Sequence, residues 1–257
     1  MIHTQWHIHP NIIAGTTGRN DGFSEPPFDS LNMALYLNDD MQNVLKNRGL
    51  LADFINVPLS RWVFPKLTHS DRWLRVSEED AGKGALDESS SPWGVDAVYT
   101  HSSNLVLAVG HADCLPILLH CPTRHLIGAI HTGWQGTVKQ ITDKFLYHWI
   151  TEERCDPRDI YIYIGPSIRK HNFIVRQDVI DATANMDFNV QPFLTPIDDE
   201  HTSMDLQGIN IAMMLRHHIP MENITDTQLC TYDHPNQFFS YRRNKITGRQ
   251  ISFIVQK

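Results

Sequence analysis

Between residues 104 and 131 the sequence holds three short apolar runs, separated by polar turns: Asn104–Val109 (NLVLAV), Leu115–His120 (LPILLH) and His125–His131 (HLIGAIH). Each has the length of a strand, and their continuous apolar character marks a sheet buried on at least one face. Cys121-Pro-Thr-Arg124 reads as a turn, so the second and third runs form a hairpin. Downstream, Val138, Ile141, Phe145 and Trp149 follow helical spacing and predict one helix over about 137–150. Strands are expected at Asp159–Ile164 and Ile251–Val255, and helices from about Asp40 and over about Asp205–His217. The polar, glycine-dotted stretch Glu78–Gly94 reads as a mobile surface loop, and Pro192–Ser203 as a second loop. Strands and helices mix without regular alternation, which places the chain in the α+β class. No repeat or long linker divides it, so residues 1–257 are expected to form one domain.

At 257 residues the chain can bury roughly 70–75% of its unfolded surface, so folding does not depend on a metal or a disulfide. The charge balance of 22 − 29 = −7 argues against nucleic acid as the main partner. No apolar run approaches the roughly 20 residues of a membrane helix, and no membrane partner is expected. The start MIHTQWHIHPNII has no basic segment followed by an apolar one, so a cytoplasmic location is expected. Four scattered cysteines then read as thiols. The 15 histidines justify a search for a site without locating one.

The search converges on two turns, Gly110-His-Ala-Asp-Cys-Leu115 and Ala129-Ile-His-Thr-Gly-Trp-Gln-Gly136. Cys114 begins one strand of the hairpin and His131 ends the other, so antiparallel pairing sets them side by side. Gly133 and Gly136 would let backbone and ligand approach closely. A thiol beside an imidazole supports a nucleophilic pair, or part of a zinc site that needs further ligands. His69, in Phe64-Pro-Lys-Leu-Thr-His-Ser70, is the third candidate. The alternative is a small buried hydrophobe at Cys114 with two structural histidines. Asp113 either orients a ligand or bonds the turn backbone. His111 is a candidate fourth ligand, although strand alternation points it differently from Cys114. His7-Ile-His9, His217-His218 and the turn between Arg242, Arg243 and Arg249 read as solvated.

A longer series of motifs occurs in one order along nearly the whole chain. It comprises Ser30-Leu-Asn32, Asn47-Arg48, Gly94-Val-Asp-Ala97 with Thr100, Ala112-Asp-Cys-Leu-Pro116, and His131 with Gly133-Trp134 and Gly136. Ile164-Gly-Pro166, Asp205-Leu206 with Asn210, Phe238-Phe-Ser-Tyr-Arg-Arg243 and Thr247-Gly-Arg249 complete it. The series resembles the YfiH-like family, also called the multicopper polyphenol oxidase or laccase-domain family. The resemblance implies a layered α/β/β/α sandwich with mixed sheets. It also implies a zinc-dependent purine nucleoside enzyme, which phosphorolyses adenosine, inosine, guanosine and methylthioadenosine and also deaminates adenosine. Its partners would be a purine nucleoside and phosphate.

Carried over residue by residue, the resemblance makes His69, Cys114 and His131 the catalytic metal ligands. Three ligands plus an open position describe a catalytic zinc. Asn32, Arg48, Asp113 and Arg242 become substrate contacts. Leu67 stands where the family usually has glutamine, and Gln135 where it has arginine. Arg169, Lys170 and Arg48 are the cations that would substitute in holding phosphate. Three further readings stand beside this one. A cysteine hydrolase would use the Cys114/His131 pair, and metal content discriminates it. A copper polyphenol oxidase needs several paired ligand motifs, where this chain has scattered pairs. A binding protein without turnover is the fourth.

Overall fold

Successive residues of Val106–His111 enter different cores: Leu107 and Val109 pack in one apolar cluster, Val106 and Ala108 in another. Both faces of the strand are therefore buried, which is why the run is apolar throughout rather than alternating. The same division recurs in the neighbouring hairpin, where Leu118, Ile127 and Ala129 face one cluster and Ile117, Leu119 and Ile130 another.

The computed structural model describes residues 1–257. In chain order its strands are β1 (Ile2–Gln5), β2 (Ile12–Thr17), β3 (Trp62–Val63), β4 (Trp73–Arg75), β5 (Ala97–Thr100), β6 (Val106–His111) and β7 (Leu115–Cys121). They continue with β8 (Leu126–Thr132), β9 (Tyr161–Ile164), β10 (Ile174–Val175), β11 (Leu194–Pro196), β12 (Thr202–Met204), β13 (Ile224–Asp226) and β14 (Gln250–Gln256). The helices are α1 (Met41–Ile55), α2 (Trp134–Val138), α3 (Ile141–Thr151), α4 (Gln177–Thr183) and α5 (Leu206–Arg216). One sheet has the order β1-β2-β14-β6-β3 and the other β13-β9-β7-β8-β5-β4, with a small third sheet β10-β12-β11. Pairings β3–β6, β4–β5 and β9–β13 are parallel and the others antiparallel, so both large sheets are mixed.

Three clusters define the layers. Leu51, Ala52 and Ile55 of α1 pack on Val106, Ala108 and Phe253 of the first sheet. Leu107, Val109 and Ile254 of that sheet meet Val98, Leu118 and Ile127 of the second. The far face of the second sheet, with Ile117 and Ile130, receives Phe145 and Trp149 of α3 and Met214 of α5. The result is a single-domain α/β/β/α sandwich with mixed sheets. No helix is long and apolar enough to cross a membrane.

Three expectations are corrected. The helix over 137–150 is two helices, broken at Gln140, whose φ of 61° lies in the left-handed region. The apolar stripe is divided between two cores: Val138 packs with the cluster under the small sheet, while Ile141, Phe145 and Trp149 pack under the second large sheet. A straight helix cannot serve both. Glu78–Gly94 is not a mobile loop. Its polar residues cap two short 3-10 turns, Ser77 bonding Asp80 and Asp87 bonding Ser89, and Ala85 is fully buried. Pro192–Ser203 contains β11 and the start of β12, whose pairing runs from Leu194↔Met204 to Pro196↔Thr202.

Gln140 has both a left-handed backbone and a buried Oε1 without a partner. Gln140→Gly removes both penalties and is expected to stabilise the fold by about 1 kcal/mol in denaturant titration.

Candidate active site

The hairpin register sets Leu115 opposite Thr132 and Pro116 opposite His131. Cys114, one residue before β7, therefore faces Gly133, one residue after β8. His69 arrives from the segment between β3 and β4 with a left-handed backbone, φ 55°. Ligand atoms of His69, Cys114 and His131 all lie within 4.8 Å of one another, and the two imidazole centroids are 5.0 Å apart. His131 is buried, Cys114 half-buried and His69 exposed.

Asp96, wholly buried at the start of β5, arranges this cluster. Its Oδ1 accepts from the His69 N–H at 3.0 Å and lies 3.0 Å from His131 Nδ1. Its Oδ2 accepts from the Thr68 N–H at 3.1 Å, the Ser70 N–H at 2.6 Å and the Ser70 hydroxyl at 2.8 Å. Burial alone would raise the Asp96 carboxyl, but the hydrogen bond and charge of His131 and the Ser70 donors hold it well below the usual carboxylate range. Burial likewise opposes charge on His131, yet Cys114 and Asp96 together raise it to about 9. With Nδ1 directed at Asp96, His131 turns Nε2 toward the cluster, as metal-bound histidines do when a carboxylate holds the other nitrogen. Sequence reasoning quoted Asp96 within Gly94-Val-Asp-Ala97 and gave it no role. An acidic residue next to a run of buried strand residues (Ala97–Thr100) was the available signal.

Two imidazoles and a thiol form a donor set that suits zinc or copper(I). The space between them depends on Gly133. A Cβ there would stand 2.8 Å from Cys114 Sγ and 3.3 Å from His69 Nδ1. Its backbone, φ −83° and ψ −170°, is open to alanine. Gly133→Ala should therefore fold with near-normal thermal stability while losing metal affinity by at least about tenfold, as read by competition with a chelator.

Two clefts meet at this cluster and share His69, Ala112, Cys114 and Tyr241. The larger, about 620 Å³, is walled by Tyr36, Lys66, Leu67, Glu88, Gly110, His111, His131 and Arg249. The smaller, about 260 Å³, is walled by Asp113, Gly133, Trp134, Phe173, Arg242 and Lys245 among others. Their charges differ. Lys66 is paired with Glu88 at 2.8 Å, and Arg249 Nη1 donates to the Thr247 and Gly248 carbonyls. The Arg242 guanidinium donates only to the Asn172 carbonyl, and Lys245 sits 4.3 Å from the Tyr241 ring centroid. The smaller cleft thus presents two cations without an ion pair, Arg242 and Lys245, against Arg249 alone in the larger, and its one carboxylate, Asp113, is taken up by hydrogen-bond donors.

Arg242 Cζ lies 5.3 Å from the Phe173 ring centroid. Asp113, with φ 92°, accepts from the Thr231 hydroxyl at 2.5 Å, the Ser240 hydroxyl at 3.0 Å and the Arg242 N–H at 2.6 Å. It thereby draws the segment around Arg242 onto the cleft wall. Arg48 is buried beneath the larger cleft, donating to the carbonyls of Met33, Gly84 and Ala85. Burial lowers it to about 9 against the opposing pull of Tyr36. Asn32 lines neither cleft; its Oδ1 accepts from the Arg249 N–H at 2.9 Å. Arg169 is held in a two-point ion pair with Asp226, and neither it nor Lys170 lines a cleft. Lys66, Lys245, Tyr36 and Tyr241 were missed, because turn residues far apart in sequence carry no common pattern.

His111 lies outside the three-residue cluster, with its Nε2 3.0 Å from Ser252 Oγ and its buried Nδ1 without a protein partner. A second group, His171, Cys230 and Asp233, also gathers its ligand atoms within 4.8 Å. There His171 is already hydrogen-bonded to Asp233 at 2.6 Å, and Cys230 Sγ accepts from the Arg169 N–H and Asn172. These bonds tie two loops together.

Residues 13–257 match the family described as multi-copper polyphenol oxidoreductase laccase. Purine nucleoside phosphorylase YlmD of Bacillus subtilis (strain 168) is 37% identical over 247 residues, spanning 96% of this chain and 89% of that one. The crystal structure of Bacillus licheniformis hypothetical protein YfiH superposes with a TM-score of 0.94 at 36% identity, covering 96% and 93% of the two chains. That of YlmD from Geobacillus stearothermophilus gives 0.92 at 33% identity, with the same coverage.

Proposed function

This chain belongs to the YfiH-like, laccase-domain family, and we propose that it is a purine nucleoside phosphorylase whose centre is His69, Cys114 and His131. Adenosine, inosine, guanosine and methylthioadenosine are the proposed substrates, with deamination of adenosine as a side activity. The observation that carries this reading is the meeting of a nucleoside-sized cleft and a cationic one at a cluster of metal-ligand type.

The two clefts suit the two substrates differently. Phosphate belongs with Arg242 and Lys245, two cations of one cleft that are held in no ion pair. The nucleoside belongs in the larger cleft, which has the room for it, where Lys66 is already taken up by Glu88 and Tyr36 adds an aromatic ring to the wall. Its sugar then reaches the junction, where phosphate oxygen and C1′ come together. Bond formation there from phosphate oxygen to C1′ releases the base and leaves ribose 1-phosphate. Holding both partners in one geometry is itself a large part of such a rate enhancement. Zinc bound by His69, Cys114 and His131 would supply Lewis acidity at this junction. Asp96 keeps His131 oriented through its hydrogen bond to Nδ1.

The test is metal analysis of the purified protein with an adenosine assay, run with and without phosphate. About one zinc per chain and adenine release that requires phosphate are expected. Inosine release without phosphate would favour deamination as the main reaction. One specific feature favours a second reading: the order Cys114, His131, Asp96 also matches nucleophile, base and orienting acid. A metal-free protein whose Cys114 is rapidly alkylated by iodoacetamide, with no phosphate-dependent reaction, would establish that hydrolase and sink the phosphorylase.

A further inference from the structure

His171, Cys230 and Asp233 stand on two loops, 168–173 and 229–233, and the first of these contributes Ile168 and Phe173 to the wall of the smaller cleft. Main-chain bonds join the loops. The Ser167 N–H donates to the Leu229 carbonyl at 3.2 Å, and the Thr231 N–H to the Ser167 carbonyl at 3.1 Å. The backbone of Cys230 is thereby fixed against the first loop on both sides. Cys230 is buried, whereas the side chains of His171 and Asp233 are 64% and 41% exposed. The sulfur closes the inner side of the cluster, and the outer side is open to solvent.

Two N–H groups converge on Cys230 Sγ, the Arg169 amide and Asn172 Nδ2, each at 3.4 Å. A thiol sulfur is a weak acceptor, so two donors aimed at one sulfur suit the thiolate of a metal site, whose ligands are themselves hydrogen-bonded. Asn172 Nδ2 also donates to Asp233 Oδ1 at 2.6 Å. That leaves Oδ2 for an ion, beside His171 Nε2 at 2.6 Å. Around a tetrahedral zinc, neighbouring ligand atoms stand about 3.3–3.6 Å apart. The His171–Asp233 contact therefore has to open by about 1 Å, between two exposed side chains. The Cys230 sulfur already lies within 4.8 Å of both.

We propose that His171 Nε2, Cys230 Sγ and Asp233 Oδ2 bind a zinc ion at a site separate from His69, Cys114 and His131, with water as the fourth ligand. A thiolate with an imidazole and one carboxylate oxygen selects a borderline ion over magnesium or calcium. On binding, Cys230 releases its thiol hydrogen to water and His171 keeps a single hydrogen, on Nδ1. Thiolate and carboxylate then answer both charges of the ion. This is the weaker of the two clusters as a zinc site, because an existing hydrogen bond must open, and it fills when zinc is added to the purified protein. The ion braces both supports of Arg242: the Asn172 carbonyl accepts from its guanidinium at 3.1 Å, and the Thr231 hydroxyl donates at 2.5 Å to Asp113, which holds its N–H. Occupancy does not depend on which reaction the other cluster performs.

Cobalt(II), titrated into Cys114→Ala, tests the site in a chain from which the other metal-binding sulfur has been removed. One equivalent should bind, with a thiolate-to-cobalt charge-transfer band that zinc abolishes. His171→Ala and Asp233→Asn, made in the same background at exposed positions, should each raise the midpoint of that titration at least about tenfold. The result does not hinge on Cys114→Ala folding, since the wild type dialysed against zinc should hold two ions per chain and His171→Ala one fewer. A merely structural contact between the loops would give no band. Absence of the band, a midpoint that either variant leaves unmoved, or equal zinc content in the wild type and His171→Ala overturns the proposal.

Discussion

Cys114→Ala should release the bound metal and lower phosphate-dependent adenine release by more than about a hundredfold, since even partners of ligands cost 10–100-fold when removed. The fold should tolerate the change. Cys114 is half-buried and belongs to none of the apolar clusters, so about 1 kcal/mol or less of stability is at stake. Loss of metal and turnover with an unchanged melting transition would separate the sulfur's chemistry from any packing role. Full activity in the metal-free variant would remove Cys114 from the centre. Gly133→Ala gives an independent check, because it fills the space between ligands while keeping all three.

The largest effect on stability is expected at Asp96. Asp96→Ala leaves the Thr68, His69 and Ser70 amides and His131 Nδ1 without their acceptor, and the Ser70 hydroxyl with the Gly94 carbonyl alone. Breaking a buried charged network of this kind costs about 3–5 kcal/mol, which corresponds to a Tm lower by about 10 °C. Because the Asp96 carboxyl is held below its unfolded value, its contribution is complete above the unfolded pKa of about 3.9 and is lost as pH falls further. The deficit of the variant should therefore be largest between about pH 5 and 6.5, narrow in strong acid, and shrink as pH rises toward 9, where the share of the raised His131 value that Asp96 supplies is lost, as urea titrations at several pH values would show. A variant that melts normally at neutral pH would mean that the His69 segment is held by other contacts.

The parts of this site that were legible in the sequence are those fixed by local chain geometry. Antiparallel pairing made Cys114 and His131 neighbours because a tight turn leaves the hairpin little choice of register. Asp40 and Asp205 cap α1 and α5 where helical spacing begins, and both starts were readable for that reason. The misreadings share a different origin. Glu78–Gly94 looks solvated because its serines and acids bond their own backbone, while what fixes it is Arg48, from a helix more than thirty residues earlier. The break at Gln140 is imposed by two cores that exist only after the sheets have paired. Arg169 and Arg48, the sequence's substitutes for a phosphate-binding arginine, are taken up by Asp226 and by main-chain carbonyls. Arg242 and Lys245 reach the cleft instead, a placement decided by Asp113, more than a hundred residues away. Periodicity reports which face of an element is buried and is silent about which distant segment covers it.

The place of β14 in the first sheet bears on how the protein is made. Residues 250–256 are hydrogen-bonded to β2 on one side and to β6 on the other, so they are the centre of a sheet whose remaining strands are synthesised first. Until the ribosome has delivered them, β2 and β6 have no common neighbour, and Ser252 is missing from the layer that backs the larger cleft. Pairings between residues more than two hundred positions apart form late and slowly. The nascent chain therefore passes through a long interval with bare strand edges, the condition in which chains associate with one another. Only when this strand slots between its partners is His111, on the wall of the larger cleft, backed by Ser252, so the cleft is completed after the strands that β14 joins rather than growing with them.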